Sequence, residues 1–519
     1  MPASETTPSG GQSRAPSGSE SGAPSGAPSG GQAGALSFRW TRQHVIALVV
    51  LCLAALLDTV DVTVVNVAMP TIRNALHFSE GGLAWMVNAY MVPFGGFLLL
   101  AGQAGDLLGR RRVLLAGTGL FTVASLASGL APSATFMIIT RAAEGLAAAF
   151  VVPMTLAMLS SVFPAGPGRN RAFAVWGGVS AAAGTLGLIL GGLLVSALGW
   201  HWVFFINIPV GMFVVAAAVR ALPADARQPS GTRRRFDVVG ALSATTGASL
   251  LAYAVVQTGS HLWGSGRTIG LLAGAALLLG YFVIHERFVS AEPLMPMSLW
   301  RNRSVTGANV VAALQSSAVF AMFYATTLYM QQVLHYSALR TGFAYVPLGV
   351  SILVAAGLGP VLVPRLGVRI TSVAGSLIAL AGLVLFARIP VDGHVFADVI
   401  VPAVVVGFGT GLVFIPASIA ALAGVPAANS GVASALLNVS RQLGGALGLA
   451  VISTIITSRT TGLLGSGHAV PVALTAGFRS GFAVSAGLMA ATVLAAAVLL
   501  RDDGRGQSVN LVELQTAGA

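Results

Sequence analysis

Three carboxylates stand in this sequence where carboxylates are costly. Asp58 and Asp61 lie inside the apolar run 43–70, and Glu144 lies inside the run 134–158. An unpartnered charge is expensive in a bilayer, so carboxylates there are candidates for handling protons or substrate. Asp58 and Asp61 are at i and i+3, about 60° apart around a helix axis and therefore on one face. They lie roughly 22–27 Å into the run at 1.5 Å per residue, past the middle of a membrane. A carboxyl there that releases its proton when a cationic substrate arrives, and recovers one from the acidic side, is the simplest antiport device. The alternative is a satisfied polar cluster with Thr59, Thr63 and Asn66 on the same helix. Arg141 and Glu144 are also at i and i+3. They either neutralise one another or act as a relay in which protonation of Glu144 frees Arg141. Arg441 and Gln442 read as interhelical hydrogen-bond partners. His285, beside Glu286 at the end of an apolar run, reads as a solvated anchor.

Composition removes most other chemistries. Of 519 residues, 55% are hydrophobic and 8% charged, and mean hydropathy is +0.83. A soluble domain carries about 25% charged residues, so this chain has the lipid bilayer as its main partner. At roughly 20 residues per helix it holds more than ten spans. All 28 basic residues are Arg, against 16 acidic ones, for a net charge of +12. They sit in short gaps between apolar runs rather than on one aromatic-interleaved face, which argues against nucleic acid. Without Lys there is no Walker A loop and no bound nucleotide. A lone Cys52 allows neither a disulfide nor a Cys-based metal site. The eight His show no ligand spacing, so neither a metal nor another cofactor is expected.

The elements that must position the carboxylates are apolar runs of roughly 18–28 residues. They fall near 43–70, 82–104, 113–131, 134–158, 172–197, 203–222, 237–257, 268–286, 305–332, 340–366, 370–390, 396–423, 432–458 and 477–500. The fold class expected is an all-α integral membrane protein of fourteen helices. Arginine collects in the even-numbered gaps, as at Arg110–Arg112, Arg233–Arg235 and Arg365, and in both tails. That places both termini in the cytoplasm. Residues 1–38, rich in Ser, Gly, Ala and Pro, have too little apolar surface to fold and read as a disordered tail. The turn Gly102–Arg112 has a weaker counterpart at Pro364–Arg369, a hint of two related halves around a central site.

The turn Gly102-Gln-Ala-Gly-Asp106-Leu-Leu-Gly109-Arg110-Arg-Arg resembles motif A of the major facilitator superfamily. Four further stretches resemble the fourteen-helix branch of its drug:proton antiporters, the actinobacterial-type multidrug efflux transporters. They are Asp61-Val-Thr63-Val-Val-Asn66, Trp200 to Gly211 with Asn207, Gln331-Gln332-x-Leu-x-Tyr336, and Asn438 to Gly448. Arg141-Ala-Ala-Glu144-Gly145 resembles motif B, with Glu where Gln is usual. Gly184, Gly187, Gly191 and Gly192 resemble motif C, with Leu188 where Pro is usual. The resemblance covers roughly residues 40–500.

The resemblance implies a secondary active transporter and not an enzyme. It would be driven by the proton motive force without a cofactor, and would export hydrophobic, cationic or amphipathic drugs or antibiotics by alternating access. Asp61, Asp58, Glu144, Arg141 and Asn66 would handle proton and substrate. Gly102, Asp106, Gly109 and Arg110 would gate, and the motif C glycines would pack the fifth helix. Six-helix bundles are expected at 39–222 and 301–500, two inserted helices within 223–300, and a cytoplasmic tail at 501–519. A monomer in the cytoplasmic membrane is expected, with protons and a small molecule as its partners. The competing readings are a dedicated exporter or importer of one endogenous metabolite, and a membrane-embedded enzyme or sensor.

Overall fold

The structure, a computed structural model, describes residues 40–500 apart from 164–166, 226–236, 258–264, 291–297 and 426–429. The tails expected at 1–38 and 501–519 lie outside the described residues. What is described belongs to one compact body, Arg39–Ala519, and is helical throughout.

In chain order the helices begin with α1 (Arg42–Leu76), α2 (Glu80–Leu108), α3 (Arg110–Gly129), α4 (Ala134–Val162) and α5 (Pro167–Leu198). A short α6 (Trp202–Phe205) leads into α7 (Asn207–Ala221). Then come α8 (Val238–Gln257), α9 (Gly266–Ile284) with a wider π-helical turn at His285–Val289, and the single turn α10 (Ser298–Arg301). The remainder comprises α11 (Arg303–Leu328), α12 (Ala338–Ala344), α13 (Val346–Phe386), α14 (Val401–Leu422), α15 (Ser430–Gly465) and α16 (Val470–Leu499). Among the described residues, eleven stretches are long and apolar enough to cross a membrane. Three shorter apolar helices lie at Gly82–Leu98, Leu186–Leu198 and Val238–Ala254. The chain is a multi-pass membrane protein.

Local sequence sets the helix starts. Thr41 accepts from the His44 N–H while the His44 ring bonds the Thr41 N–H, a reciprocal cap on α1. Ser79, Ser133 and Ser337 cap α2, α4 and α12 in the same position, each contributing about 1 kcal/mol. The breaks are set by glycine. Gly109, between α2 and α3, has φ 99°, and Gly367 breaks α13 at φ 88°, in the left-handed region that only glycine enters cheaply. These are the matching glycines of the two basic turns, so the sequence repeat returns as the same backbone break.

Two expectations are corrected. The last two helices reach towards each other across the expected gap 459–476, because α15 continues to Gly465 and α16 starts at Val470, ahead of Pro471. A proline fits the first turn of a helix, where its missing N–H is not needed. His285 is not solvated: it is buried, with Nε2 2.9 Å from Asp237 Oδ1 at the foot of α8. This bond ties the inserted pair α8 and α9 together at one end.

In the packing, α1 lies against α4, α5 and α7, while α2 touches α4, α8 and α15. On the other side α11 packs on α14, α15 and α16, and α12 meets α5. One apolar core runs from Val60 on α1 to Met489 on α16. Val123, Ile139, Met212, Leu277, Leu494 and Val498 remain exposed on the outside, a belt suited to lipid.

Candidate functional site

The site is built where α1, α2, α4 and α7 converge. Asp61 on α1 has no exposed surface. Its Oδ2 accepts from Nη1 of Arg141 on α4 at 2.5 Å, and its Oδ1 accepts from Nδ2 of Asn207 on α7 at 2.9 Å. The same Arg141 Nη1 also donates to Glu144 Oε2, one turn along α4. Arg141 Nε donates to the Met86 carbonyl at 3.3 Å, and its guanidinium lies 4.5 Å from the centre of the Tyr90 ring. The Tyr90 hydroxyl donates to Asp58 at 2.5 Å. Asn207 is itself held by Ser125 of α3 at 2.9 Å.

Backbone contact brings these groups together. A Cβ on Gly145 would collide with the Tyr90 carbonyl, so α4 and α2 touch there and Arg141 is laid over Tyr90. Such close approach of small residues is the usual way membrane helices pack. Asp58 and Asp61 share a face of α1 yet serve different partners, and Tyr90 and Arg141 link them indirectly. Asp58 is only partly buried.

The electrostatics follow from counting. Asp61, Glu144 and Arg141 are almost wholly buried, and two carboxylates with one guanidinium carry a net negative charge. The cluster is neutral only when one carboxyl holds a proton, and burying an unbalanced charge is costly. Although the Ser128 hydroxyl lies close enough to interact with the Glu144 carboxyl, Glu144 Oε1 makes no hydrogen bond within 3.5 Å. It is the oxygen left open to a proton.

The remaining sequence candidates divide. Asn66 is buried, but its amide bonds back to the Val62 carbonyl of its own helix at 2.9 Å, outside the cluster. In the glycine run of α5, a Cβ on Gly187 or Gly191 would press on α1 at Val60 or Val64, and one on Gly192 would meet the Ala338 backbone of α12 at 2.7 Å. Gly184 faces open space. With Leu188 in place of Pro, α5 runs from Pro167 to Leu198 without a proline in its interior.

At the α2–α3 turn, Gly102 and Asp106 fall on the last turns of α2, where the Asp106 side chain lies outside the described residues. Arg110 Nη1 donates to the Ala157 carbonyl of α4 at 3.3 Å. The backbone N–H groups of Arg111 and Arg112 donate to Asp225, beyond α7, at 2.9 and 3.2 Å. Asp225 thus caps α3 from a distance, where a carboxylate favours the helix N-terminus. A Cβ on Gly109 would run into that carboxylate. At the opposite end, Gln331 Nε2 donates to the Val67 carbonyl at 3.0 Å. There Arg73, Gln331, Gln332 and Tyr336 are among the walls of a cavity of about 490 Å³.

Sequence reading missed Tyr90, Asn207 and Asp225 as working residues. Asn207 stood inside a quoted motif and could have been paired with Asp61 by type. Tyr90 and Asp225 carry no local signal, since their partners lie 32 and 114 residues away. No group of three or more His, Cys, Asp or Glu is placed to hold a metal ion among the described residues.

The family model described as Major Facilitator Superfamily matches residues 51–449. The chain belongs to the major facilitator superfamily. It is therefore a transporter rather than an enzyme, working by the alternating access of that superfamily. The chain is 37% identical over 417 residues to the cephamycin export protein of Amycolatopsis lactamdurans, covering 80% of this chain and 86% of that one. It is 35% identical over 455 residues to a puromycin resistance protein of Streptomyces alboniger, covering 87% and 90%. Among solved structures, a bacterial homologue of the human lysosomal transporter Spinster, inward-facing and unoccupied, superposes with TM-score 0.63 at 15% identity, covering 89% of this chain and 99% of that one. PepTSo, a transporter of the POT family, gives TM-score 0.62 at 15% identity, covering 88% and 99%. At such identities the structural likeness shows the fold. The sequence relatives are superfamily members associated with antibiotic resistance and export.

Proposed function

We propose that this superfamily transporter is a proton-coupled antiporter that exports hydrophobic, cationic or amphipathic drug-like molecules across the cytoplasmic membrane. The observation that carries the reading is the buried cluster Asp61–Arg141–Glu144, neutral only with one added proton and offering the open oxygen of Glu144 to receive it. A proton on Glu144 leaves Arg141 wholly to Asp61; its departure pulls Arg141 back. Each state favours a different packing of α1 against α4, and a group that differs between two states can shift their balance. Asp58, partly exposed and held by Tyr90, is placed to meet the substrate cation. Moving one charge through 100 mV supplies about 2.3 kcal/mol.

The architecture supporting this is fourteen spans. The three shorter apolar helices complete the eleven longer stretches. Six spans from α1 to α7 and six from α11 to α16 form two groups around the site, with α8 and α9 inserted. The arginine bias puts the α2–α3 turn and both termini in the cytoplasm. The α1–α2 end, where Gly192 meets Ala338 and Gln331 meets Val67, is then the closed outer side. The relatives' cephamycin and puromycin associations support an antibiotic-like cargo.

The test is counterflow in proteoliposomes. An imposed proton gradient is expected to drive uptake of a cationic dye, and the dye to drive proton movement. Failure in both directions with a broad dye and antibiotic panel overturns the reading.

A further inference from the structure

Charge is divided unevenly between the two helix groups. No Asp or Glu occurs within α11, α13, α14, α15 or α16, yet α15 carries Arg441 eleven residues past its first, Ser430. That is roughly 17 Å into the helix at 1.5 Å per residue, well inside a membrane. Unlike Arg141, Arg441 has no carboxylate partner among the described residues. Its contacts are a long bond to the Ser418 hydroxyl at 3.4 Å and the Phe414 ring, whose centre lies 4.2 Å from the guanidinium carbon. One long bond leaves most of its five N–H donors unused. A cation in mid-membrane with one neutral bond and one ring is an unmatched charge, of the kind kept for an ion or substrate.

Its neighbours fix where it points. Ser440 bonds Asn309, and Gly444 abuts Ala313, both on α11. Gln442 lies against Gly95, and Gly445 against Met91, both on α2 of the other group. Arg441 falls between these two contact lines, on the face that looks into the gap between groups. Asn438, one turn away, is exposed, and Phe414 is about half exposed. Met91, which touches Gly445, follows Tyr90, the partner of Asp58. Counted along α15 from Gly445 to Arg441, the carboxylate and the guanidinium lie at depths about one turn apart, roughly 6 Å.

We propose that Arg441 and Phe414 form a subsite for the acidic group, a carboxylate, of an amphipathic aromatic substrate. The guanidinium takes the carboxylate through its free donors, and the exposed part of Phe414 takes the adjoining ring. With Asp58 across the gap, the cavity suits molecules carrying both charges. The proposal rests on the exporter reading for its setting, but its test does not need transport.

The probes are rhodamine B, which has a free carboxylate, and its ethyl ester. Binding to the purified full-length protein in nanodiscs is read by fluorescence anisotropy without any gradient. R441Q is expected to weaken rhodamine B binding about tenfold or more, the usual scale for losing a charged hydrogen bond, while the ester changes less than about twofold. Intact ester binding in the same sample shows that the variant is folded. R441K, which keeps the charge, is expected to recover part of the preference for the acid. The proposal is overturned if R441Q weakens both dyes alike, weakens neither, or if the wild type does not bind rhodamine B. Wild-type protein that binds both dyes but moves neither under a proton gradient sinks the antiporter reading and leaves the subsite standing.

Discussion

Asp61 has two bonded neighbours, Arg141 and Asn207, and Asp58 has Tyr90. The first carboxyl belongs to a closed network and the second to its edge, so their substitutions should differ. Asp61→Asn removes one of the two charges that Arg141 balances, leaving a cluster already neutral without a proton. It is expected to abolish uphill efflux and leave at most downhill exchange, measured as dye efflux with and without a proton gradient. Asp58→Asn keeps the inner cluster intact and should retain proton-driven efflux with weaker affinity for cations. Uphill efflux retained by Asp61→Asn would show that coupling does not need the Asp61–Arg141 bond, and would leave Glu144 with Arg141 as the pair to test next. The sequence made Asp61, Arg141 and Glu144 legible through type and position in apolar runs. It did not show that Arg141 bridges the other two, because residues 80 apart in the chain meet only through helix packing.

Helices were the most legible level, since an apolar run between basic gaps has few other physical solutions. Their ends were less so: the polar ends of α15 and α16 hid the continued helix. The joints depend on distant partners. Gly109 sits at positive φ beneath the Asp225 carboxylate, so Gly109→Ala meets both backbone strain of about 1–2 kcal/mol and a displaced cap. A lower melting temperature and slower efflux are expected, with dye affinity in the binding assay unchanged. The α8–α9 pair is pinned by Asp237. Burial raises the affinity of its carboxyl for protons, but hydrogen bonds from Ser290, the Gly240 N–H and His285 outweigh this and hold it below the ordinary carboxylate value. A lowered carboxyl stabilises the fold above its unfolded value, near about 3.9, and loses that contribution as pH falls through the folded one. Wild type should therefore lose its stability margin over Asp237→Asn as pH falls below about 4. Melting curves of both proteins across acid pH check this.

In the proposed architecture two helix groups face one gap, with the buried carboxylates Asp61 and Glu144 in one and Arg441, which has no carboxylate partner among the described residues, in the other. That asymmetry could be read from the sequence once the spans were drawn; what the charges face could not, because it depends on which helices touch. The segment 2–36 supplies neither an apolar core nor a charged patch. Its deletion should leave dye efflux unchanged at matched expression, and a loss would reveal a role for the tail. The one cysteine of the chain, Cys52, is buried in α1 and there is no lysine anywhere. A thiol-reactive label therefore has no accessible native site in the folded protein. Cysteines introduced in pairs across the end proposed as outer, at exposed positions near the α1–α2 and α15–α16 turns, would carry spin or fluorescent reporters on an otherwise silent background. Distances between them would report directly whether the end proposed as outer opens, without first rebuilding the protein.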